Sequence, residues 1–104
     1  MKTRFDILLQ DEAYTFIQSL DDQIKAKVMS NLDKSRVLND PKLFKKVNKH
    51  IWEFRTQYAK RQIRLLAFWS PLEKALVVCT HGIYKRTQKI PFREINKAQE
   101  LRAS

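Results

Sequence analysis

The chain has 104 residues with one glycine, one cysteine and a formal net charge of +10. Its length suits one domain over residues 1–104, which buries roughly two thirds of its unfolded surface and folds without metal or disulfide staples. A single glycine, Gly82, excludes the Gly-rich phosphate cradles of P-loop and dinucleotide-binding proteins, and a single cysteine, Cys79, excludes an internal disulfide.

Arg4 to Leu9 is short and apolar-rich and predicts an edge strand. A charge lies inside it, and it lacks the roughly 7 to 15 apolar residues of a signal peptide. No span nears the roughly 18 unbroken apolar residues of a membrane helix, so a soluble, cytoplasmic protein without a membrane partner is expected. Ala13, Phe16, Ile17 and Leu20, then Ile24, Val28 and Leu32, recur at steps of three and four and share one helical stripe. Ser19-Leu20-Asp21-Asp22 resembles a capping box, which predicts two helices, about 11–18 and 20–35, in place of one.

From residue 41 the charge changes character. Residues 1–40 carry six Lys and Arg against seven Asp and Glu, whereas residues 41–104 carry fifteen against four. Solubility needs no such asymmetry, which favours an anionic partner, either nucleic acid or an acidic protein competing with it; a solvated basic face is the alternative. Asn39-Asp40-Pro41 predicts a short third helix, ending before Asn48, with Asp as cap and Pro in the first turn. Lys42, Lys45, Lys46 and Lys49 would line its outer side while Leu43, Phe44 and Val47 pack inward.

At Ile51 the period changes to two. Trp52 and Phe54 take one face of a strand over residues 51–56, and Glu53 and Arg55 the other. Ile63–Trp69 reads as a central strand interrupted by Arg64, Ser70-Pro71-Leu72-Glu73 as a turn, and Lys74–Thr80 as the next strand. Within it Cys79 reads as a buried thiol in a reducing compartment. A basic loop follows, His81-Gly82-Ile83-Tyr84-Lys85-Arg86-Thr87-Gln88-Lys89-Ile90-Pro91, and a closing helix over 91–103 carries Ile95, Ala98 and Leu101 on its apolar stripe. The order predicts an α+β domain: an antiparallel sheet of about four strands, helices on one face, and the opposite face open to a ligand.

Three motifs in order, Trp52-Glu53-Phe54-Arg55, Arg64-Leu65-Leu66 and the His81–Pro91 loop, resemble the RelE/ParE toxin superfamily, in particular its phage-derived, HigB-like branch. The chain departs from that branch at Phe54, Gln62-Ile63, Tyr84 and Arg86, changes that keep charge and bulk. The resemblance covers nearly the whole chain and implies a RelE-like fold with a C-terminal helix. It implies the toxin of a type II toxin–antitoxin pair, an endoribonuclease that cuts messenger RNA on the ribosome. Its partners would be the ribosome, mRNA and a cognate antitoxin with a helix-turn-helix domain, with operator DNA reached only through the toxin–antitoxin complex.

Cutting RNA without a metal requires a group to take the 2′-hydroxyl proton, cations around the pentacoordinate phosphate, and an acid for the departing 5′-oxygen. Glu53, Glu73, Glu94 and Glu100 are scattered along the basic region, so no metal and no cofactor is expected. Arg64, a guanidinium on an apolar strand, needs a partner, and a phosphate fits its fork; an internal salt bridge to Glu53 is the alternative. The resemblance places Arg64 on the scissile phosphate, Glu53 as base and Arg55 as phosphate clamp, with Lys85 as acid or stabiliser. Arg86 would only stabilise charge, and Lys45, Lys46, Lys49 and Lys89 would hold RNA backbone. The base is left open among Glu53, a lysine and His81, although His81 also reads as structural and His50 as a solvated boundary residue. Trp69 and Tyr84 are read either as core or as platforms for a base. A ParE-type toxin acting on DNA gyrase and a plain RNA-binding module are the competing functions.

Overall fold

The apolar stripe between Ala13 and Leu32 folds into two helices, and the alternating segments after Ile51 form a sheet, in a computed structural model that describes residues 2–104. The elements are β1 (Asp6–Leu9), α1 (Asp11–Gln18), α2 (Asp22–Val37), β2 (Phe44–Lys46), β3 (Ile51–Tyr58), β4 (Arg61–Trp69), β5 (Leu76–Tyr84) and α3 (Phe92–Ala103). The sheet has five strands in the order β1-β5-β4-β3-β2. β1 runs parallel to β5, and every other pair is antiparallel. The sheet is therefore mixed, and the expectation of about four antiparallel strands is corrected on both points.

The fifth strand stands where a third helix was expected. Asp40 does accept the backbone N–H of Lys42 at 2.9 Å, but the turn it opens ends at Phe44, which pairs with Phe54 of β3. Packing decides the outcome: the Phe44 ring stacks on Phe54 at 4.3 Å and on Trp52 at 4.8 Å. A helix would turn those rings apart and leave the β3 edge unpaired. The capping box at Ser19 does not form either. Ser19 Oγ donates to the Phe16 carbonyl at 2.6 Å and closes α1, so α2 begins only at Asp22.

Helices cover both faces of the sheet. Ala13 and Ile17 of α1 and Ile24, Val28 and Leu32 of α2 are buried against Phe54, Ile63, Leu65, Ala67, Val77 and Cys79. On the opposite face Ala98 of α3 packs with Ile51, Leu66, Phe68 and Val78. The face expected to lie open is thus half covered, because the Ile95–Ala98 stripe needs apolar partners and the alternate residues of β4 supply them. Glu53, Arg55 and Arg64 lie on its uncovered half.

Three local features shape that half. β5 carries a bulge: Leu66 pairs with His81 and Ala67 with Cys79, so Thr80 is the extra residue and His81 turns toward α3. β5 also runs through His81 to Tyr84, so the basic loop begins only at Lys85. Gly82 faces α1, where a Cβ would overlap the Phe16 ring. The third feature is the two-residue turn between β3 and β4. Ala59 (φ 51°) and Lys60 (φ 66°) both hold the left-handed conformation that usually draws Asn-Gly. For residues with a Cβ this conformation costs about 1–2 kcal/mol each.

Candidate functional site

Strand register brings the site together. Lys45 of β2 pairs with Glu53 of β3, Arg55 pairs with Arg64 of β4, and Arg64 pairs with Ile83 of β5. Two residues past Ile83, Lys85 anchors its backbone N–H on the Gln62 carbonyl at 2.7 Å. Its side chain then comes over the same half-face, where it feels Arg64, Glu53, Arg55 and Lys45. These groups border a concavity of about 420 Å³. Five cations line it, Lys45, Lys46, Arg55, Lys85 and Lys89, against one carboxylate, Glu53, with Ile90 and Ile95 forming the wall toward α3. Its basic groups are flexible lysine stems and one guanidinium, so it is suited to a phosphate-rich ligand.

Arg64, paired with Arg55 across β3 and β4, lies on the same sheet face. It is 3% exposed, with Nη1 donating to the Ile63 carbonyl at 3.0 Å, Nη2 donating to Gln62 Oε1 at 2.9 Å, and Nε 2.8 Å from Glu53 Oε1. Neither Nε nor Oε1 makes a hydrogen bond, so the two atoms form an ion pair at an angle outside hydrogen-bonding geometry. Burial pushes the Arg64 pKa down, the Glu53 carboxylate pulls it back up, and Arg55 adds to the lowering. Of the two partners the sequence allows for Arg64, a phosphate and Glu53, the internal salt bridge is the arrangement present. All three nitrogens of Arg64 face protein atoms, and the residue also borders a hollow that it shares with Lys42, Arg55, Thr56 and Gln57.

Arg55 is half-buried. Its Nη1 donates to the Pro41 carbonyl at 3.3 Å, and its buried Nε has no hydrogen-bond partner. Three such atoms, Glu53 Oε1, Arg55 Nε and Arg64 Nε, are the buried side-chain polar atoms left unpaired among the described residues. They belong to neighbouring residues of one sheet face. Unpaired polar groups gathered in this way mark a place where the fold tolerates strain. Lys85 is half-buried, and its pKa is lowered first by desolvation and then by the positive charge of Arg64, with Arg55 and Lys45 adding and Glu53 opposing.

Besides Arg64, three of the basic residues singled out in the sequence, Lys42, Lys49 and Arg86, do not line this cavity. Lys49 is exposed in the turn between β2 and β3, where Asn48 Oδ1 accepts the backbone N–H groups of His50 and Ile51. Arg86 points into a second groove, as does Lys85, along with Lys60, Arg61, Gln62 and Tyr84. Sequence reasoning misses Lys60, Arg61 and the Gln62 that pins Arg64. Their turn lacks the Gly, Asn or Asp that signals one, so the pattern predicts a strand start at Ile63, two residues late. Nor does a lone glycine in the sequence announce that Gly82 makes room for Phe16.

His81 is 1% exposed. Nδ1 sits 2.8 Å from Thr80 Oγ1 and Nε2 3.2 Å from Glu94 Oε1. It pins β5 to α3 and is closed off from solvent, which places it on the structural side of the two readings. Burial lowers its pKa, Lys97 adds to this, and Glu94 and Glu12 oppose it. His50 is exposed at the mouth of β3, as expected. Trp69 belongs to the core, edge-on to Phe5 at 5.2 Å. Tyr84 is 38% exposed, and its ring rests on Phe16 at 5.6 Å. Cys79 is fully buried, and desolvation pushes its pKa far up, so the thiol is unreactive in the folded chain.

Among the described residues no three His, Cys, Asp or Glu side chains gather as a metal-ligand set, and no helix is long and apolar enough to cross a membrane. The family model described as Phage derived protein Gp49-like (DUF891) matches residues 15–103. The chain belongs to that family. No curated protein matches the chain.

Proposed function

We propose that this Gp49-like protein, from a family commonly linked to toxin–antitoxin toxins, is an endoribonuclease toxin that cuts messenger RNA on the ribosome and halts translation. One observation carries the reading: five cations from separate strands and one loop surround a single carboxylate on the uncovered half of a sheet face. A structural role gives no reason to collect like charges there, whereas a phosphodiester does.

The chemistry divides among the residues by position. Glu53 takes the proton of the 2′-hydroxyl, and the freed 2′-oxygen attacks the adjacent phosphorus. Lys45 and Arg55 stabilise the charge that builds on the phosphoryl oxygens. Lys85 gives a proton to the departing 5′-oxygen, leaving a 2′,3′-cyclic phosphate on one fragment and a 5′-hydroxyl on the other. Desolvation and neighbouring cations, which lower its pKa, make Lys85 a better acid than a free lysine. Arg64, buried against Glu53, acts as a positioning residue that fixes the carboxylate. Lys46 and Lys89 hold flanking backbone, and Arg86 adds charge at the loop.

The proposal includes a cognate antitoxin that silences the toxin, carries a helix-turn-helix domain and takes the pair to operator DNA. The protein acts in the cytoplasm, where its substrate is. The deciding experiment is incubation with programmed ribosomes followed by mapping of transcript ends. New ends at defined codons support the reading. Intact transcripts together with unimpaired growth on expression overturn it, and gyrase-dependent DNA damage with intact transcripts would replace it with a ParE-type activity.

A further inference from the structure

Beside the site lies a second groove of about 680 Å³, between the β3–β4 turn and the end of β5. Lys60, Arg61, Lys85 and Arg86 line it with Gln62 and Tyr84, four cations without a carboxylate. From this we infer that the groove is a second RNA subsite, which holds the single strand adjoining the cleaved bond. The inference rests on the ribonuclease reading above.

Two independent features point the same way. Lys85 borders both the groove and the cleavage cavity, so a strand whose phosphate meets Lys85 is within reach of both. In addition, the turn that supplies Lys60 is built from two left-handed residues, neither of them glycine. Glycine would relieve Lys60 of its strain but would remove the cation. Lys60 thus holds its cation at the groove in a left-handed conformation.

The groove offers a base as well as a backbone site. Tyr84 is partly exposed and its ring is backed by Phe16, a supported aromatic surface on which an unstacked base can lie. Asp21 opposes the groove's charge at 4.0 Å from Arg61, with both side chains more than half exposed. Water and salt screen such a pair, and a phosphate with two oxygens displaces it. Asp21 and Asp22, at the start of α2, border the neighbouring hollow, which repels RNA and keeps the strand on the Lys85 side.

The test uses a single-stranded 2′-O-methyl oligonucleotide, which has no 2′-hydroxyl to attack and so reports binding apart from cleavage. Lys60→Gln with Arg61→Gln is expected to reduce the slope of log affinity against log salt by about 1.4, roughly 0.7 for each phosphate that is no longer neutralised. Tyr84→Ala is expected to weaken binding about tenfold while Tyr84→Phe keeps it, since stacking needs the ring and not the hydroxyl. Unchanged slope in the double variant, confirmed as folded by circular dichroism, overturns the inference. So does a loss confined to binding of empty ribosomes, which would give these charges to ribosomal RNA. Failure of the parent reading looks different: the wild-type protein leaves transcripts whole on ribosomes, whatever the oligonucleotide shows.

Discussion

Arg64 and Glu53 form a buried ion pair whose facing atoms, Nε and Oε1, are 2.8 Å apart yet make no hydrogen bond with each other or with anything else. Their side chains are 4% and 11% exposed, so each charge depends on the other for its presence inside the sheet. Removing one partner leaves the other buried and unpaired, and the cost is expected at about 3–5 kcal/mol for Arg64→Ala or Glu53→Ala. Arg64→Met combined with Glu53→Leu is expected to recover most of that loss while cleavage stays abolished. Urea denaturation of the three variants checks the coupling, and equal, additive losses would show that the two charges are independent.

Lys85 sets the alkaline limit of the proposed reaction. Its pKa is lowered from the ordinary 10.5, so the ammonium loses its proton earlier as pH rises, and the cleavage rate is expected to fall through that lowered value. Lys85→Arg keeps a cation but does not release a proton in this range. A wild-type profile that falls at alkaline pH beside a flat, slower Lys85→Arg profile identifies the acid; parallel profiles would assign Lys85 to charge stabilisation alone.

His81 makes stability depend on pH in a defined direction. Its folded pKa lies below the unfolded value of 6.5, so the unfolded chain binds the proton first as pH falls. The contribution is complete above 6.5 and is lost as pH drops through the folded value. Lys97 of α3 adds to the lowering, while Glu94 of α3 and Glu12 of α1 resist it. The urea midpoint is expected to be lower at about pH 5.5 than at about pH 7.5, and His81→Gln to flatten that difference. An unchanged slope in the variant would move the effect to other groups.

Gly82→Ala tests how closely α1 approaches β5. The new methyl would overlap the Phe16 ring, which is also packed against Tyr84, so the ring must shift and disturb its neighbour. A loss of about 1–3 kcal/mol is expected, typical of overpacking. Gly82→Ala combined with Phe16→Leu is expected to regain part of it, measured by thermal melting.

Replacing Ala59-Lys60 with Asn-Gly is expected to raise stability by about 1 kcal/mol at each position, because both residues then suit the left-handed turn. The same change removes the Lys60 cation. A more stable protein with weaker RNA binding is the expected outcome, and denaturant midpoints read beside oligonucleotide affinity measure the two effects separately.

Periodicity makes most of the fold legible. The Ala13–Leu32 stripe, the alternation from Ile51 and the apolar stripe of α3 each appear as elements where spacing places them. What the sequence hides is decided by pairing across distance. Phe44 follows a residue pattern that suits a helix, yet its stack on Phe54 and Trp52 makes it a strand. The face chosen by α3 depends on which alternate residues of β4 remain uncovered, and spacing within α3 says nothing of that. In the site, the convergence of Glu53, Arg55 and Lys85 is foreseeable from charge and motif order, whereas Lys45 joins them only because a segment that suits a helix pairs as β2. The burial of Arg64 is not foreseeable, since a lone guanidinium in an apolar strand looks the same whether its partner is a ligand or the Glu53 carboxylate.

The parallel pairing of Asp6 with Leu76 ties the first strand of the described chain to its last. Until β5 has been synthesised, β1 has no neighbour in the sheet, and Lys85 does not yet exist to complete the cavity. A chain still being made, or cut short ahead of β5, therefore carries neither a finished sheet nor a closed basic cavity.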